Sequence, residues 1–292
     1  MLPPKFYVRC SGIGEIMTNP RGKSIADQII ELAADVVDRA AKIEGMKPGA
    51  KIDAAIRMFT QKSNHLLSLR ERVNEPNLSE TCKTHLKKWL IRELTGKRVD
   101  FKSKPTDKGN AVEDDAIVYA SCHIPEMGLC CKNEKRYFDE WMTGTPDVVI
   151  PGQEVDDMKS SYSAETFPLF ETELPEKDYD WQVVGYMGLL RSNGIICPKG
   201  HVIYALMSMP EEMIEREARY KLGQHYTRDQ YEDFAANYQY DDLPPAMRLK
   251  KYPVEYDEEK VQAIRDRVVE CRNYVESVLW PTYLNNINQF EQ

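Results

Sequence analysis

Residues 144–163 read GTPDVVIPGQEVDDMKSSYS and contain two strand-like runs separated by a turn. The runs VVI and EVDDMK have the character of half-buried strands, and PGQ between them supplies turn-forming residues. Successive side chains point to opposite faces of a strand, so Asp157 and Lys159 share one face while Asp156 and Met158 share the other. The stretch therefore predicts a hairpin that brings Asp147 toward Asp157.

The predicted hairpin places two carboxylates beside one lysine. Converging carboxylates repel each other, and a cation between them relieves that repulsion. Ligand sets made only of oxygen suit a hard ion such as Mg²⁺ or Mn²⁺. The ammonium group of Lys159 would then hold an attacking water and offset the charge that grows on a phosphorus centre. The alternative is a solvated hairpin whose charged pairs contribute about 0.2–1 kcal/mol each.

Two helical segments supply polar residues for the same place. GNAVEDDAI is predicted as a helix that bears Glu113, with Asp114 and Asp115 as competing acids. In WQVVGY, Gln182 and Tyr186 are one helical turn apart and share one face. Both segments therefore offer groups that can face the hairpin.

The segment RCSGIGEIMT near the N-terminus is predicted to begin a helix, with Ser11 as the N-cap. Ser11 follows Arg9, and the start of a helix is a favourable place for a phosphate. We interpret this segment as a candidate phosphate contact.

In order along the chain stand RCSGIGEIM, GNAVE, GTPD, DMK and WQVVGYM. Their order and spacing resemble the PD-(D/E)xK nuclease superfamily, and specifically the phage recombination exonucleases of the lambda-exonuclease and YqaJ type. The resemblance covers most of residues 100–190 and the first 20 residues. It implies an α/β (α+β) fold with a restriction-endonuclease-like core, in which helices flank a mixed central β-sheet.

The resemblance also implies a role for each motif residue. The implied ligands of Mg²⁺, for which Mn²⁺ is the expected substitute, are Glu113, Asp147, Asp157 and the carbonyl group of Met158. The implied catalytic residues are the three carboxylates together with Lys159 and Gln182. Of these, Gln182 would orient the lysine or the water. The implied substrate contacts are Ser11 at a terminal 5′-phosphate, Arg9 and Tyr186. Asp157 departs from the pattern, since glutamate is commoner there and reaches one methylene further.

The implied activity is 5′-to-3′ digestion of linear double-stranded DNA, which leaves 3′ single-stranded overhangs. The implied partners are double-stranded DNA ends, a single-strand annealing protein and further copies of the chain in a homo-oligomer such as a ring-shaped trimer. One alternative is a RecB-like or structure-specific endonuclease, because a metal site alone does not choose a substrate. Another is a catalytically inactive DNA-binding or assembly protein.

The chain is interpreted as one nuclease domain over residues 1–292. Helical periodicity predicts a helical N-terminal region at 24–98 and a helical C-terminal region at 211–292, on either side of a catalytic core at 100–210. The region 24–98 has two open readings, as one wall of a DNA channel or as a brace for the sheet.

Composition limits the class of protein. The chain has 292 residues and a formal charge of −8, which argues against indiscriminate coating of nucleic acid. Nine basic residues against three acidic ones nevertheless form a basic stretch between Lys83 and Lys108. No run of about 18 apolar residues occurs, and the start lacks a secretory signal, so we expect a cytoplasmic protein without a membrane span, in a bacterial host if the chain is phage-encoded.

Cysteine and histidine spacing gives no sign of a metal site. The seven cysteines contain no CxxC pair, which favours reduced thiols over a zinc ribbon. No HxH or HxxxH spacing occurs among the histidines, which favours ordinary surface or core positions for His65, His85, His123, His201 and His225.

Overall fold

A computed structural model describes residues 2–99 and 103–289 of the chain. The chain falls into two compact units, which we call the helical unit and the sheet unit. The helical unit comprises Met1–Lys5, Glu15–Thr95 and Val269–Gln292, and the sheet unit comprises Phe6–Gly14 and Gly96–Val268. Asp100 and Lys102 of the predicted basic stretch lie outside the described residues.

Long helices make up most of the helical unit. The helices with residues in this unit are α1 (Ile13–Met17), α2 (Ile25–Glu44), α3 (Ala50–Glu71), α4 (Glu80–Thr95), α9 (Glu258–Tyr274) and α10 (Trp280–Asn288), of which α1 and α9 also have residues in the sheet unit. Ser24 caps α2, because its hydroxyl oxygen accepts a hydrogen bond from the N–H of Asp27 at 3.1 Å. α2 and α3 pack against each other as a hairpin. The helices predicted for the N-terminal third are confirmed.

The sheet unit contains all the strands of the described chain and four further helices. The strands are β1 (Val8–Arg9), β2 (Tyr137–Phe138), β3 (Met142–Gly144), β4 (Val148–Ile150), β5 (Glu154–Ser160), β6 (Lys199–Ala205) and β7 (Leu249–Glu255). The helices are α5 (Lys104–His123), α6 (Lys177–Ser192), α7 (Glu211–Leu222) and α8 (Arg228–Ala236).

These strands form two mixed sheets. The larger has the order β4-β5-β6-β7, with β5 and β6 parallel and the other neighbours antiparallel. The smaller has the order β1-β3-β2, with β1 parallel and β2 antiparallel to β3. The predicted α/β class with a mixed sheet and flanking helices is confirmed.

α5 and α6 cover opposite faces of the larger sheet. On one face, Val112 of α5 packs with Met158 of β5 and Ile203 of β6 in an apolar cluster. On the other face, Gly200 of β6 lies so close to α6 that an added Cβ would be 2.5 Å from Cγ1 of Val183. We call these the α5 face and the α6 face. The alternation of β5 directs Asp157 and Lys159 to the α6 face and Asp156 to the α5 face.

The predicted hairpin is confirmed, with β4 and β5 as its strands and residues 151–153 as its turn. Gly152 has a φ of +79°, a conformation that glycine adopts without steric cost. The turn chemistry read from PGQ therefore sets the hairpin.

The prediction that Ser11 is an N-cap is wrong. A 3₁₀ turn, Cys10–Gly12, precedes α1, and Arg9 occupies the N-cap position of that turn without a side-chain capping bond. Ser11 lies inside the turn because the helical backbone begins at Cys10, two residues earlier than an N-cap at Ser11 requires.

The basic stretch does not form one surface. Lys108 is fully buried in α5, where its Nζ donates to the carbonyl oxygens of Ser161 at 2.8 Å and Tyr162 at 2.9 Å. Burial lowers the pKa of Lys108 to about 8. Lys108 therefore anchors the segment that follows β5 and contributes no charge to a DNA-binding face.

The two compact units do not follow the predicted regional boundaries, and the interpretation as a single nuclease domain stays a prediction. Within residues 2–99 and 103–289, none of the helices combines the length and apolar character that a bilayer span requires.

Candidate active site

The hairpin places the backbone of β5 against Asp147. Asp147 directly precedes β4, whose Val148 pairs with Asp156 of β5. The N–H of Met158 donates a hydrogen bond to Oδ2 of Asp147 at 2.7 Å. Asp147 therefore lies at the end of the hairpin beside Asp157, as the sequence predicts.

Asp157 is 2% exposed and is held between two polar side chains. Nζ of Lys159 lies 2.7 Å from its Oδ2, and Nε2 of Gln182 donates to its Oδ1 at 2.8 Å. Among the described residues, no hydrogen bond of good geometry reaches Oδ2. The predicted shared face of Asp157 and Lys159 is confirmed.

α6 presents a row of polar side chains to this face. Tyr179, Gln182 and Tyr186 are spaced three and four residues apart, which places them on one side of the helix. Nζ of Lys159 lies 4.2 Å from the ring centroid of Tyr179, and Nε2 of Gln182 donates to the hydroxyl of Tyr186 at 3.0 Å. The row fixes the direction in which Lys159 points.

Burial gives these groups unusual electrostatics. Burial, followed by the charge of Asp157, raises the pKa of Asp147 to about 8. Burial also raises the pKa of Asp157, although the charge and hydrogen bond of Lys159 act in the opposite direction. Burial alone would lower the pKa of Lys159, but the charge and hydrogen bond of Asp157 outweigh it and the pKa rises. The raised pKa values mean that the folded site disfavours the ionised form of both aspartates, and a cation bound between them would favour it.

Glu113 approaches this site from α5. Its charge raises the pKa values of both Asp147 and Asp157, and its own carboxylate contacts Nζ of Lys132 at 3.1 Å. The same ammonium group lies 2.9 Å from Oδ1 of Asp114. Glu113 is half-buried while Asp114 is exposed, so the geometry favours Glu113 as the acid that faces the aspartates.

The segment with Arg9 and Ser11 packs near α6. The Cys10–Gly12 turn contacts α6, and an added Cβ at Gly144 would lie 2.7 Å from Cε1 of Tyr186 and 3.0 Å from Sγ of Cys10. Ser11 is exposed beside this buried contact. Its assignment as a phosphate contact, like that of Arg9, stays a prediction.

The oxygen donors fit a hard divalent cation. The predicted ligands are Glu113, Asp147, Asp157 and the carbonyl group of Met158. Ammonium groups already stand beside two of the carboxylates, Lys159 at Asp157 and Lys132 at Glu113, which shows that the site attracts positive charge. The donor set suits Mg²⁺ or Mn²⁺, and the ligand assignments stay predictions.

Sequence reasoning missed several residues around the site. Tyr179 was detectable, since it is three residues before Gln182 on the same helix face. The contact of Lys132 with Glu113 joins a loop to a helix and leaves no local signal. Sequence reasoning also missed a cluster away from this site. Within the described residues, one potential metal-ligating atom from each of Glu154, Asp156 and His201 lies within 4.8 Å of the others.

Comparison with known proteins gives matches to solved structures. No family model matches the chain, and no curated protein matches it. A phage related exonuclease from Haemophilus somnus 129PT aligns with a TM-score of 0.63 at 20% sequence identity, over 96% of this chain and 97% of that chain. The chain has the fold of this exonuclease.

A second solved structure agrees. The alkaline exonuclease LHK-Exo from Laribacter hongkongensis aligns with a TM-score of 0.50 at 12% identity, over 73% of this chain and 88% of that chain. The predicted resemblance to phage-type exonucleases is confirmed at the level of the fold.

Proposed function

We propose that the chain is a divalent-metal-dependent deoxyribonuclease, which digests linear double-stranded DNA from its 5′ ends and leaves 3′ single-stranded overhangs. The observation that carries the proposal is buried Asp157, whose carboxylate lies between Lys159 and Gln182 beside Asp147. Carboxyl groups whose pKa values are raised by burial and by a neighbouring carboxylate, as here, cluster at functional sites. The exonuclease fold supports the same reading.

Each side chain has a task in phosphodiester hydrolysis. Asp147, Asp157 and Glu113, with the carbonyl group of Met158, would hold Mg²⁺ or Mn²⁺. The ion, when bound, lowers the pKa of a water and polarises the phosphoryl oxygens. Lys159 would hold the water against the phosphorus and offset the negative charge of the transition state.

Two further groups would position these parts. Gln182 donates to Asp157 and lies with its Oε1 3.4 Å from Nζ of Lys159, so it would fix the lysine's direction. Tyr186 supports Gln182 through its hydroxyl. Ser11 and Arg9 would receive the terminal 5′-phosphate near the start of α1.

The proposed setting is phage-type recombination in the cytoplasm of a bacterial host. The overhang would pass to a single-strand annealing protein, and the nuclease would act as a homo-oligomer, with a ring-shaped trimer around the DNA as the expected form. A ring suits processive digestion because the product strand stays enclosed.

The test is a time course with Mg²⁺ on linear duplexes that carry or lack a 5′-phosphate, with each strand labelled in turn. We expect 5′-phosphorylated ends to be digested fastest, the 3′-terminated strand to survive, and closed circular duplex to stay intact. Cleavage of the circular duplex would favour the endonuclease alternative instead. Binding without cleavage would favour the inactive DNA-binding alternative.

Matched variants make this test specific. Asp147→Asn should abolish digestion and Lys159→Met should slow it about 10²–10³-fold, while circular dichroism shows that both chains are folded. Ser11→Ala should narrow the difference between phosphorylated and unphosphorylated ends and leave digestion of unphosphorylated ends intact. Full digestion by Asp147→Asn would refute the proposed metal site.

A further inference from the structure

The α5 face of the larger sheet carries a second group of ionisable side chains, which we call the back-face cluster. It consists of Glu154 and Asp156 on β5, His201 on β6 and Lys251 on β7. Asp156 and His201 are directly paired across the two parallel strands. Asp157 and Lys159 point to the other face, so this cluster is separate from the candidate active site.

The cluster is buried. Glu154 is 4%, Asp156 0% and His201 8% exposed. Side chains of these types are rarely buried without a partner that neutralises them. Lys251 meets this need for Glu154, because its Nζ lies 3.2 Å and 3.1 Å from the two carboxylate oxygens. Asp156 contacts His201 through only one of its two carboxylate oxygens.

The donor atoms of the three side chains are close enough together to bind one ion. Nδ1 of His201 lies 2.8 Å from Oδ1 of Asp156 and 3.4 Å from Oε2 of Glu154, and one ligand atom from each of the three residues lies within 4.8 Å of the others. Metal–ligand bonds of about 2.1 Å in a tetrahedral site put ligand atoms about 3.4 Å apart. The separation of His201 and Glu154 already equals this spacing, while His201 and Asp156, now at hydrogen-bond distance, would move apart to share one ion.

An independent observation points to a missing partner. Oδ2 of Asp156 belongs to a fully buried residue and has no hydrogen-bond partner within the described part of the chain. A buried oxygen without a hydrogen-bond partner is destabilising, and more so when it is charged. Its neighbour Oδ1 already contacts His201, so the carboxylate faces into the cluster with one oxygen still free to bind.

The identity of the donors selects the ion. An imidazole nitrogen with two carboxylates is a ligand set typical of Zn²⁺ and related first-row metals, whereas Mg²⁺ prefers oxygen alone. We propose that Glu154, Asp156 and His201 bind one such ion, and that the preferred ion is Zn²⁺. Lys251 orients Glu154 from outside the coordination sphere.

The position gives the ion a structural task. It would join β5 to β6 directly behind Asp157, whose backbone neighbour Asp156 is one of the ligands. A metal bound there would fix the strand that presents Asp157 and Lys159 to the α6 face. This role does not depend on the proposed nuclease activity.

The test compares two full-length chains. Asp147→Asn removes an oxygen ligand from the candidate active site, and the double variant Asp147→Asn with His201→Gln also alters the back-face cluster. Both are stripped with a chelator, exposed to Zn²⁺ in excess Mg²⁺, desalted and analysed for zinc. We expect about one zinc per chain in the first and at least a tenfold loss in the second.

Two outcomes overturn the proposal. The first is no retained zinc in Asp147→Asn, which would make the cluster a closed network in which His201 and Lys251 are the partners of the two carboxylates. The second is equal zinc in both chains. Should the double variant fail to fold, X-ray absorption on zinc-loaded Asp147→Asn decides: one imidazole nitrogen in the ligand shell supports the site, and a shell of oxygen alone refutes it.

Discussion

At the scale of single residues, the site is organised around one lysine. Lys159 contacts Asp157 through charge, Gln182 through a long hydrogen bond of 3.4 Å and Tyr179 through its ring. Three contacts from two elements leave its ammonium group few alternative positions. A lysine held this way is suited to stabilise charge at a fixed point, because no reorganisation is needed when the charge develops.

Lys159→Met should therefore lower the rate of cleavage and leave the fold intact. Removing one preorganised charge-stabilising group typically costs about 10²–10³-fold in kcat. Steady-state kinetics on a linear duplex measure the effect, with Lys221→Met, an exposed lysine on α7, as the control. Equal losses in the two variants would show that overall charge, and not position, matters.

Asp147→Asn should stabilise the metal-free chain at neutral pH. The folded pKa of Asp147 is raised to about 8 while an unfolded aspartate titrates near pH 4, so the folded state binds more protons between these values. Metal-free wild type therefore loses stability as pH rises from about 4 to about 8. We expect the variant to exceed it by about 1–3 kcal/mol at pH 8.

Urea unfolding in EDTA at pH 5 and pH 8 measures this difference, which should be larger at pH 8. Adding Mg²⁺ should stabilise wild type, by about 2.7 kcal/mol at a hundredfold excess over its Kd, and leave the variant unchanged. Equal stability of the two proteins at both pH values would contradict the raised pKa.

At the scale of elements, close helix contacts set the position of the polar row on α6. Gly188 of α6 faces α9, and an added Cβ would lie 2.9 Å from both Cγ atoms of Val261. Val261 is fully buried and β-branched, so rotation about χ1 moves one methyl group away only by bringing the other closer. The helix can approach this closely only without a side chain.

Gly188→Ala should consequently destabilise the protein by about 1–3 kcal/mol through overpacking. Gly109→Ala on α5 is the matched helical control, since nothing lies within 4 Å of its added Cβ, and it should gain up to about 1 kcal/mol. Thermal unfolding of both variants checks the pair. A stabilised Gly188→Ala would mean that α6 and α9 are further apart than the structure has them.

Local patterns in the sequence predicted the elements that depend on local chemistry. The alternation of side chains along a strand predicted that Asp157 and Lys159 share a face. The residues PGQ predicted the hairpin turn, in which Gly152 has a positive φ. Two of the failures share a cause: Lys108 and Lys132 find their partners 53 and 19 residues away, and no local pattern encodes such contacts. His201 was read as an ordinary histidine for the same reason, because its partner Asp156 is 45 residues distant.

At the scale of the whole molecule, charge is unevenly distributed along the chain. The formal charge is −8, yet α4 in the helical unit bears the exposed pair Lys87 and Lys88. Lysines that meet DNA phosphates release counterions, so each contact adds about 0.9 to the slope of log K against log salt. This slope separates a DNA-contacting α4 from one that only supports the fold.

Replacing both Lys87 and Lys88 by alanine should reduce that slope by about 2 if α4 lines the DNA path. Binding is measured in a Lys159→Met background, so that the duplex survives, and Lys221→Ala serves as the control with an unchanged slope. An identical slope in the double variant would assign α4 to the bracing role.

The alternation of charged and apolar residues along β5 also disfavours a one-residue shift in its pairing register. Strand mispairing by one position exchanges the two faces, and the α6 face would still receive an aspartate, Asp156. Met158 would then replace the lysine, and Lys159 would be driven into the apolar cluster around Val112, at a cost of several kcal/mol for an unpaired cation. The register shift would thus remove the lysine from the α6 face, while the destabilisation that disfavours the shift would arise on the α5 face.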